Sequence, residues 1–143
     1  MILLDTNVVS EMFRDRANQQ VLNWIDSQLD SNLYLCTPVV AELRYGAERL
    51  APGQRQAYLR AAIDRSVDEF FRDRIWPFDL AATGVYSRLM VKREQMGRRI
   101  ELMDAMIAAI AITHGAALAT RDTRDFADLG LDLINPFEAP VAH

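Results

Sequence analysis

Residues 1–11 read MILLDTNVVSE. Ile2, Leu3 and Leu4 form a continuous apolar run, the pattern of a strand buried on both faces of a parallel sheet. The run stops on Asp5, with Thr6 and Asn7 directly after it. One acid at a strand end explains itself, because Asp favours turns. In an open parallel sheet, however, ligands bind outside the carboxyl ends of the strands. The reading of this stretch therefore turns on whether other acids are placed to meet Asp5.

Working outward, the pattern alternates. Residues 8–13 suit a short helix, and 18–29 an amphipathic one with Val21, Leu22, Ile25 and Leu29 on one face. Leu33 to Cys36 reads as a second strand. Thr37-Pro38 reads as an N-cap followed by Pro at the first helical position. Pro52-Gly53 breaks the chain, and 54–71 is a long helical pattern. Ile75 to Phe78 reads as an edge strand, since Pro77 cannot donate to a ladder. Helices are expected over 79–96 and 101–113, the second closed by His114-Gly115. Residues 116–119 and 131–134 supply two more strands. Strands separated by helices predict an α/β fold with a parallel sheet covered on both faces.

The chain has 143 residues, half of them hydrophobic and a quarter charged. That is the composition of one ordinary globular domain with a real core. The single cysteine, Cys36, rules out an internal disulfide and a CxxC metal site, and a reducing cytoplasmic setting fits it best. No stretch is apolar enough to span a bilayer, so no membrane partner is expected. The first residues carry an acid where an export signal carries basic residues. The net charge of −4 and the pI near 5.1 argue against a nucleic-acid partner unless a metal supplies the missing positive charge.

Four acids fall on the expected rim. Asp5 ends the first strand, Glu42 lies one turn into the helix after the second, and Asp122 follows the fourth. Asp104 opens the apolar helix that leads into that fourth strand. Its neighbours at three, four and seven positions on are Ile107, Ala108 and Ala111, a core-facing set on which an unpaired charge is costly. Singly, each acid reads as a helix-start or turn residue. Together they are like charges that need a counter-charge, and a hard divalent cation with oxygen ligands, such as Mg²⁺ with its waters, supplies one. Thr6 and Asn7 would orient the carboxylate of Asp5; the plainer reading has Asn7 or Ser10 capping the next helix. Asp125, three residues after Asp122, would join the cluster or face solvent.

Four ordered segments carry a resemblance: LLDTNVVSE at 3–11, TPVVAEL at 37–43, LMDAMIAAIA at 102–111 and ATRDTRDF at 119–126. Together they resemble the PIN-domain ribonucleases, more narrowly the toxins of VapBC-type toxin–antitoxin pairs in the FitB-like branch. The likeness covers 1–137 as a single domain and leaves 138–143 as a short tail. It implies a three-layer α/β/α sandwich with a parallel sheet ordered 3-2-1-4-5. It also implies Mg²⁺- or Mn²⁺-dependent cleavage of RNA to 5′-phosphate and 3′-hydroxyl ends. Carried over by position, the metal acids are Asp5, Glu42, Asp104 and Asp122, with Thr6 at the small hydroxyl position beside the first. The implied partners are RNA, a small DNA-binding antitoxin that blocks the acidic site, and a second copy of the chain. For these contacts the apolar residues of 18–29 and 37–50 are candidate surface.

Basic residues are local. Lys92, Arg93, Arg98 and Arg99 cluster in VKREQMGRRI, and Arg121 and Arg124 flank Asp122. They would contact phosphates, against the reading of a solvated helix end. His114 and His143 sit in no triad-like context. Two rivals remain at this point. One is a non-catalytic binding module. The other is a Mg²⁺ phosphatase with a nucleophilic Asp5, which usually has a second acid two residues on, where this chain has Asn7.

Overall fold

The computed structural model describes residues 1–138; most of the expected tail lies outside them. Five strands form one parallel sheet: β1 (Ile2–Leu4), β2 (Leu33–Cys36), β3 (Ile75–Trp76), β4 (Ala117–Ala119) and β5 (Leu133–Ile134), in the order β3-β2-β1-β4-β5. The helices are α1 (Thr6–Val9), α2 (Gln19–Ser27), α3 (Thr37–Glu48), α4 (Gln54–Arg65), α5 (Leu80–Gln95) and α6 (Leu102–His114).

Strand order explains the position of the site. The chain moves from β1 to β2 to β3 in one direction, then returns past β1 to β4 through α5 and α6. Parallel crossovers are right-handed, so the return puts its helices on the opposite face. The direction reverses between β1 and β4, and their carboxyl ends flank the crevice that such a reversal opens. Register brings Leu4 opposite Ala119, and the Asp5 N–H donates to the Ala119 carbonyl at 2.9 Å.

The core follows from the patterns. Leu3, Leu4, Leu33, Leu35 and Leu118 of the strands are fully buried. On α6, Ala105 and Ile107 to Ala111 are also fully buried, as a helix that is apolar all round must be. Gly115 ends it at φ 64°, a left-handed position suited to glycine. Asn18 and Asp79 cap α2 and α5 through their side chains.

Three expectations need correction. Thr37 does not cap α3. It is the first residue of the helix, and its Oγ1 accepts from the Phe78 N–H at 3.2 Å, tying α3 to the exit of β3. The pattern over 54–71 is not one regular helix: α4 passes into a single π turn over Ser66–Phe70, where the Phe71 N–H donates to the Ser66 carbonyl. Of the apolar residues offered as contact surface, Val21, Ile25, Val39, Leu43 and Ala47 belong to the chain's own core, while Leu29 and Tyr45 stay exposed. Cys36 is buried, and burial pushes its thiol up to about 12, which makes it a small hydrophobe rather than a nucleophile. Among the described residues no helix is long and apolar enough to cross a membrane.

Candidate active site

β1 delivers Asp5 to the crevice and α1 begins immediately after it. Asp5 itself caps α1, its Oδ1 accepting from the Thr6 N–H at 2.8 Å. Neither Asn7 nor Ser10 serves as that cap, which corrects the plainer reading of the sequence. Thr6 turns its hydroxyl to α3 and donates to Glu42 Oε1 at 2.7 Å. Asn7 reaches the other way. Its Nδ2 donates to Asp122 Oδ2 at 3.0 Å and lies 3.5 Å from Asp5 Oδ2. Its Oδ1 accepts from the Arg121 N–H. Three successive residues of one turn therefore touch the segments that carry Glu42 and Asp122.

Thr120 completes the arrangement, and the sequence reading passed over it. It is fully buried at the end of β4. Its Oγ1 donates to Asp5 Oδ2 at 2.7 Å and accepts from the Asp122 N–H at 3.0 Å. The available signal was positional: a hydroxyl directly after a buried strand, on the same rim as Asp5.

Asp5 is buried, and burial pushes its carboxyl up to about 6. Hydrogen bonds from Thr120 and Thr6 act against the rise, while the charges of Glu42 and Asp122 add to it. Asp104, from α6, is pushed up to about 7 by burial first, then by Asp5, Asp125, Glu101 and Glu42. No hydrogen bond offsets its rise. Asp125 thus stands close enough for its charge to act on Asp104, and its N–H donates to the Asp122 carbonyl at 3.0 Å.

A cleft of about 530 Å³ opens over this cluster, lined by Glu42, Asp104, Asp122 and Asp125 with Arg98, Arg99 and Arg124 among its other walls. Arg121 does not line it; its guanidinium lies 3.8 Å above the Phe137 ring. Lys92 stays exposed on α5 and Arg93 is buried, so the basic run divides.

The residues suit a divalent cation. The donor set is all oxygen, and Asp104 presents a carboxylate with no donor of its own. Among the described residues, no three His, Cys, Asp or Glu side chains already enclose a metal position. An ion here would keep several waters, as Mg²⁺ does.

The family comparison agrees with this architecture. The PIN domain family matches residues 2–131. The plasmid stability protein StbB of Pseudomonas syringae pv. tomato is 46% identical over 97% of this chain and all of its own length. The VapC ribonuclease Y4jK of Sinorhizobium fredii is 42% identical over 96% of this chain and 99% of its own. The toxin FitB of Neisseria gonorrhoeae is 37% identical over 96% and 99%, and a chain in the crystal structure of FitAcB from that organism superposes with a TM-score of 0.91 at 37% identity, covering 97% of this chain and 100% of the other. With β1 and β4 flanking a carboxylate-lined crevice and the match spanning nearly every element, the chain belongs to the PIN-domain family.

Proposed function

We propose that this chain is a metal-dependent endoribonuclease, the toxin of a toxin–antitoxin pair. The observation that carries the reading is that Glu42, Asp104 and Asp122, from α3, α6 and the β4 exit, line one cleft walled by arginines, with Asp5 of the β1 exit buried behind them and tied to Glu42 and Asp122 through Thr6, Asn7 and Thr120. Similarity to a VapC ribonuclease and to the toxin FitB supports the substrate and the role.

Asp5, Asp104, Glu42 and Asp122 would hold Mg²⁺ or Mn²⁺, which when bound activates water near neutral pH and stabilises charge on the scissile phosphate. The chain's own residues arrange the rest. Thr6 N–H and Thr120 Oγ1 bond different oxygens of Asp5 and fix its plane. Thr6 Oγ1 holds Glu42, and Asn7 sets its amide between two acids that would otherwise repel. Arg99 and Arg124, both lining the cleft, would present cations to the phosphates, and Asp125 adds negative charge beside Asp104. Arg121, stacked on Phe137, acts locally rather than in the main cleft.

The expected partner is a small DNA-binding antitoxin. A second groove of about 550 Å³, floored by Phe13, Leu43, Leu50, Leu59 and Ile63, opens beside Thr6 and Glu42. A partner segment with apolar anchors would fill it and extend a basic side chain into the carboxylates. A second copy of the chain is also expected, and Leu80, Val91 and Leu102 remain exposed on α5 and at the start of α6.

The test is cleavage of total cellular RNA by antitoxin-free protein: cutting with Mg²⁺ and none with EDTA supports the nuclease. Mg²⁺ binding without cutting favours the binding-module reading. A covalent aspartyl intermediate and turnover of small phosphate esters would favour the phosphatase.

Two further results are expected. Thr120→Val removes one hydroxyl that serves both Asp5 and Asp122, so single-turnover cleavage should slow by about 10–100-fold, with Thr120→Ser restoring most of it. An unchanged rate would show that Asp5 needs no such support. Arg99→Ala should weaken RNA binding evenly across sequences and lower the salt slope by about 1. Equal affinity at low and high salt would remove Arg99 from the phosphate contacts.

A further inference from the structure

Arg93 is among the largest fully buried side chains, 2% exposed, although it sits in a basic run that reads as a solvated surface. Among the described residues no carboxylate forms an ion pair with it, and its Nε has no partner. Burying a charge without a carboxylate is unfavourable, so an apolar side chain would fill this place at less cost if packing were the only demand. What Arg93 does touch is specific. One terminal nitrogen donates to two carbonyls, Asp125 at 2.6 Å and Ala127 at 2.7 Å.

Both carbonyls belong to the segment between β4 and β5 that carries Asp122 and Asp125. Inside that segment the Asp125 N–H donates to the Asp122 carbonyl, and the Ala127 N–H to that of Arg124. Phe126 is buried between the two residues that Arg93 holds. Arg98 donates from the same side to the Arg124 carbonyl and to Asp128. Thr120 fixes the near end of the turn through the Asp122 N–H. The turn is thus held at its start by β4 and beyond Asp122 by α5. Removing the guanidinium takes from these two carbonyls the donor that ties the turn to α5.

We propose that Arg93 is a positioning residue: it fixes the turn bearing Asp122 and Asp125 against Asp104 and Glu42, and so sets the spacing of the carboxylates around the cleft. Its consequence for catalysis rests on the nuclease reading, whereas its consequences for the turn and for ion binding do not.

The experiment compares the full-length chain with Arg93→Met and Arg93→Lys. It reads amide hydrogen exchange at 122–128, the Mg²⁺ dissociation constant by calorimetry, and kcat and KM on RNA. In Arg93→Met, exchange in the turn should accelerate and the Mg²⁺ dissociation constant rise by about 10-fold. The same variant should lose about 10–100-fold in kcat, the size of an outer-shell effect on a metal site, with KM within about 2-fold. Arg93→Lys should recover part of each loss, because one ammonium nitrogen can also donate to both carbonyls but sits on a shorter, more flexible stem than the terminal nitrogen of the planar guanidinium. If Arg93→Met does not fold, Arg93→Lys decides by the same readouts. A folded variant with lowered thermal stability but wild-type exchange, Mg²⁺ affinity and kcat would overturn the proposal. If the wild type binds Mg²⁺ and cuts no RNA, the nuclease reading fails while exchange and Mg²⁺ affinity still decide the role of Arg93.

Discussion

Asp5→Asn is expected to reduce Mg²⁺-dependent RNA cleavage by more than about 100-fold, beyond what loss of an outer-shell partner costs, while the protein stays folded. Asp5 is the one acid bonded to the supports of both neighbours: Thr6, which also holds Glu42, and Thr120, which also holds the Asp122 N–H. Asn preserves the shape and can still accept the Thr6 N–H, so the fold should survive. It removes the charge at the centre of the cluster and offers a weaker ligand. Cleavage of one defined RNA by wild type and variant, with Mg²⁺ and with EDTA, measures the effect. Wild-type cutting by Asp5→Asn would end the carboxylate-cluster mechanism. A loss of cutting matched by a loss of circular-dichroism signal would show damage to the fold instead.

Asp104→Asn should make the metal-free protein more stable. Asp104 is pushed up to about 7, chiefly by burial and next by the charge of Asp5. In the folded chain it therefore binds more protons than in the unfolded chain between about pH 4 and pH 7, and its contribution to stability falls as pH rises through that window. Its carboxylate receives no hydrogen bond that Asn would forfeit. Because the group is only partly buried, solvent screening reduces the gain to about 1–2 kcal/mol, or about 3 to 8 °C in Tm for a chain of this size. The gap between variant and wild type should be widest at pH 8, narrow below pH 7 and close near pH 4. Saturating Mg²⁺ at pH 8 should reverse the order, since an ion at 100 times its dissociation constant adds about 2.7 kcal/mol to a protein that binds it. Thermal melts of both proteins at three pH values, with EDTA and with Mg²⁺, give every term. A variant less stable than wild type at pH 8 in EDTA would show that the buried, like-charged surroundings of Asp104 do not cost the metal-free fold.

Much of this is legible in the sequence. The apolar run ending on Asp5 marked the first strand, and its buried parallel character followed from the lack of alternation. The helix around Asp104 announced its burial because Ile107, Ala108 and Ala111 share its face. Gly115 marked a helix end by local backbone chemistry. These are short-range signals, carried by neighbours within one or two turns. The strand order 3-2-1-4-5 came with the family resemblance, because no local pattern states which strands pair.

Only the tertiary structure decided how the acids are held. Asn7 and Asp122 are 115 positions apart, as are Thr120 and Asp5, and nothing in either segment announces the other. Thr37 carries a sequence signal for a cap, yet its hydroxyl serves Phe78, 41 positions away, because β3 ends beside it. Arg93 reads as one more surface cation, but α5 packs it beneath the β4–β5 turn, where among the described residues its hydrogen-bond partners are backbone carbonyls. The sequence by itself determined the elements and the acids at their ends, since periodicity and turn chemistry are local. Which hydroxyl, amide or guanidinium supports each acid was decided by the crossing of distant segments at the β1–β4 reversal, where burial and hydrogen bonding are properties of the packed chain.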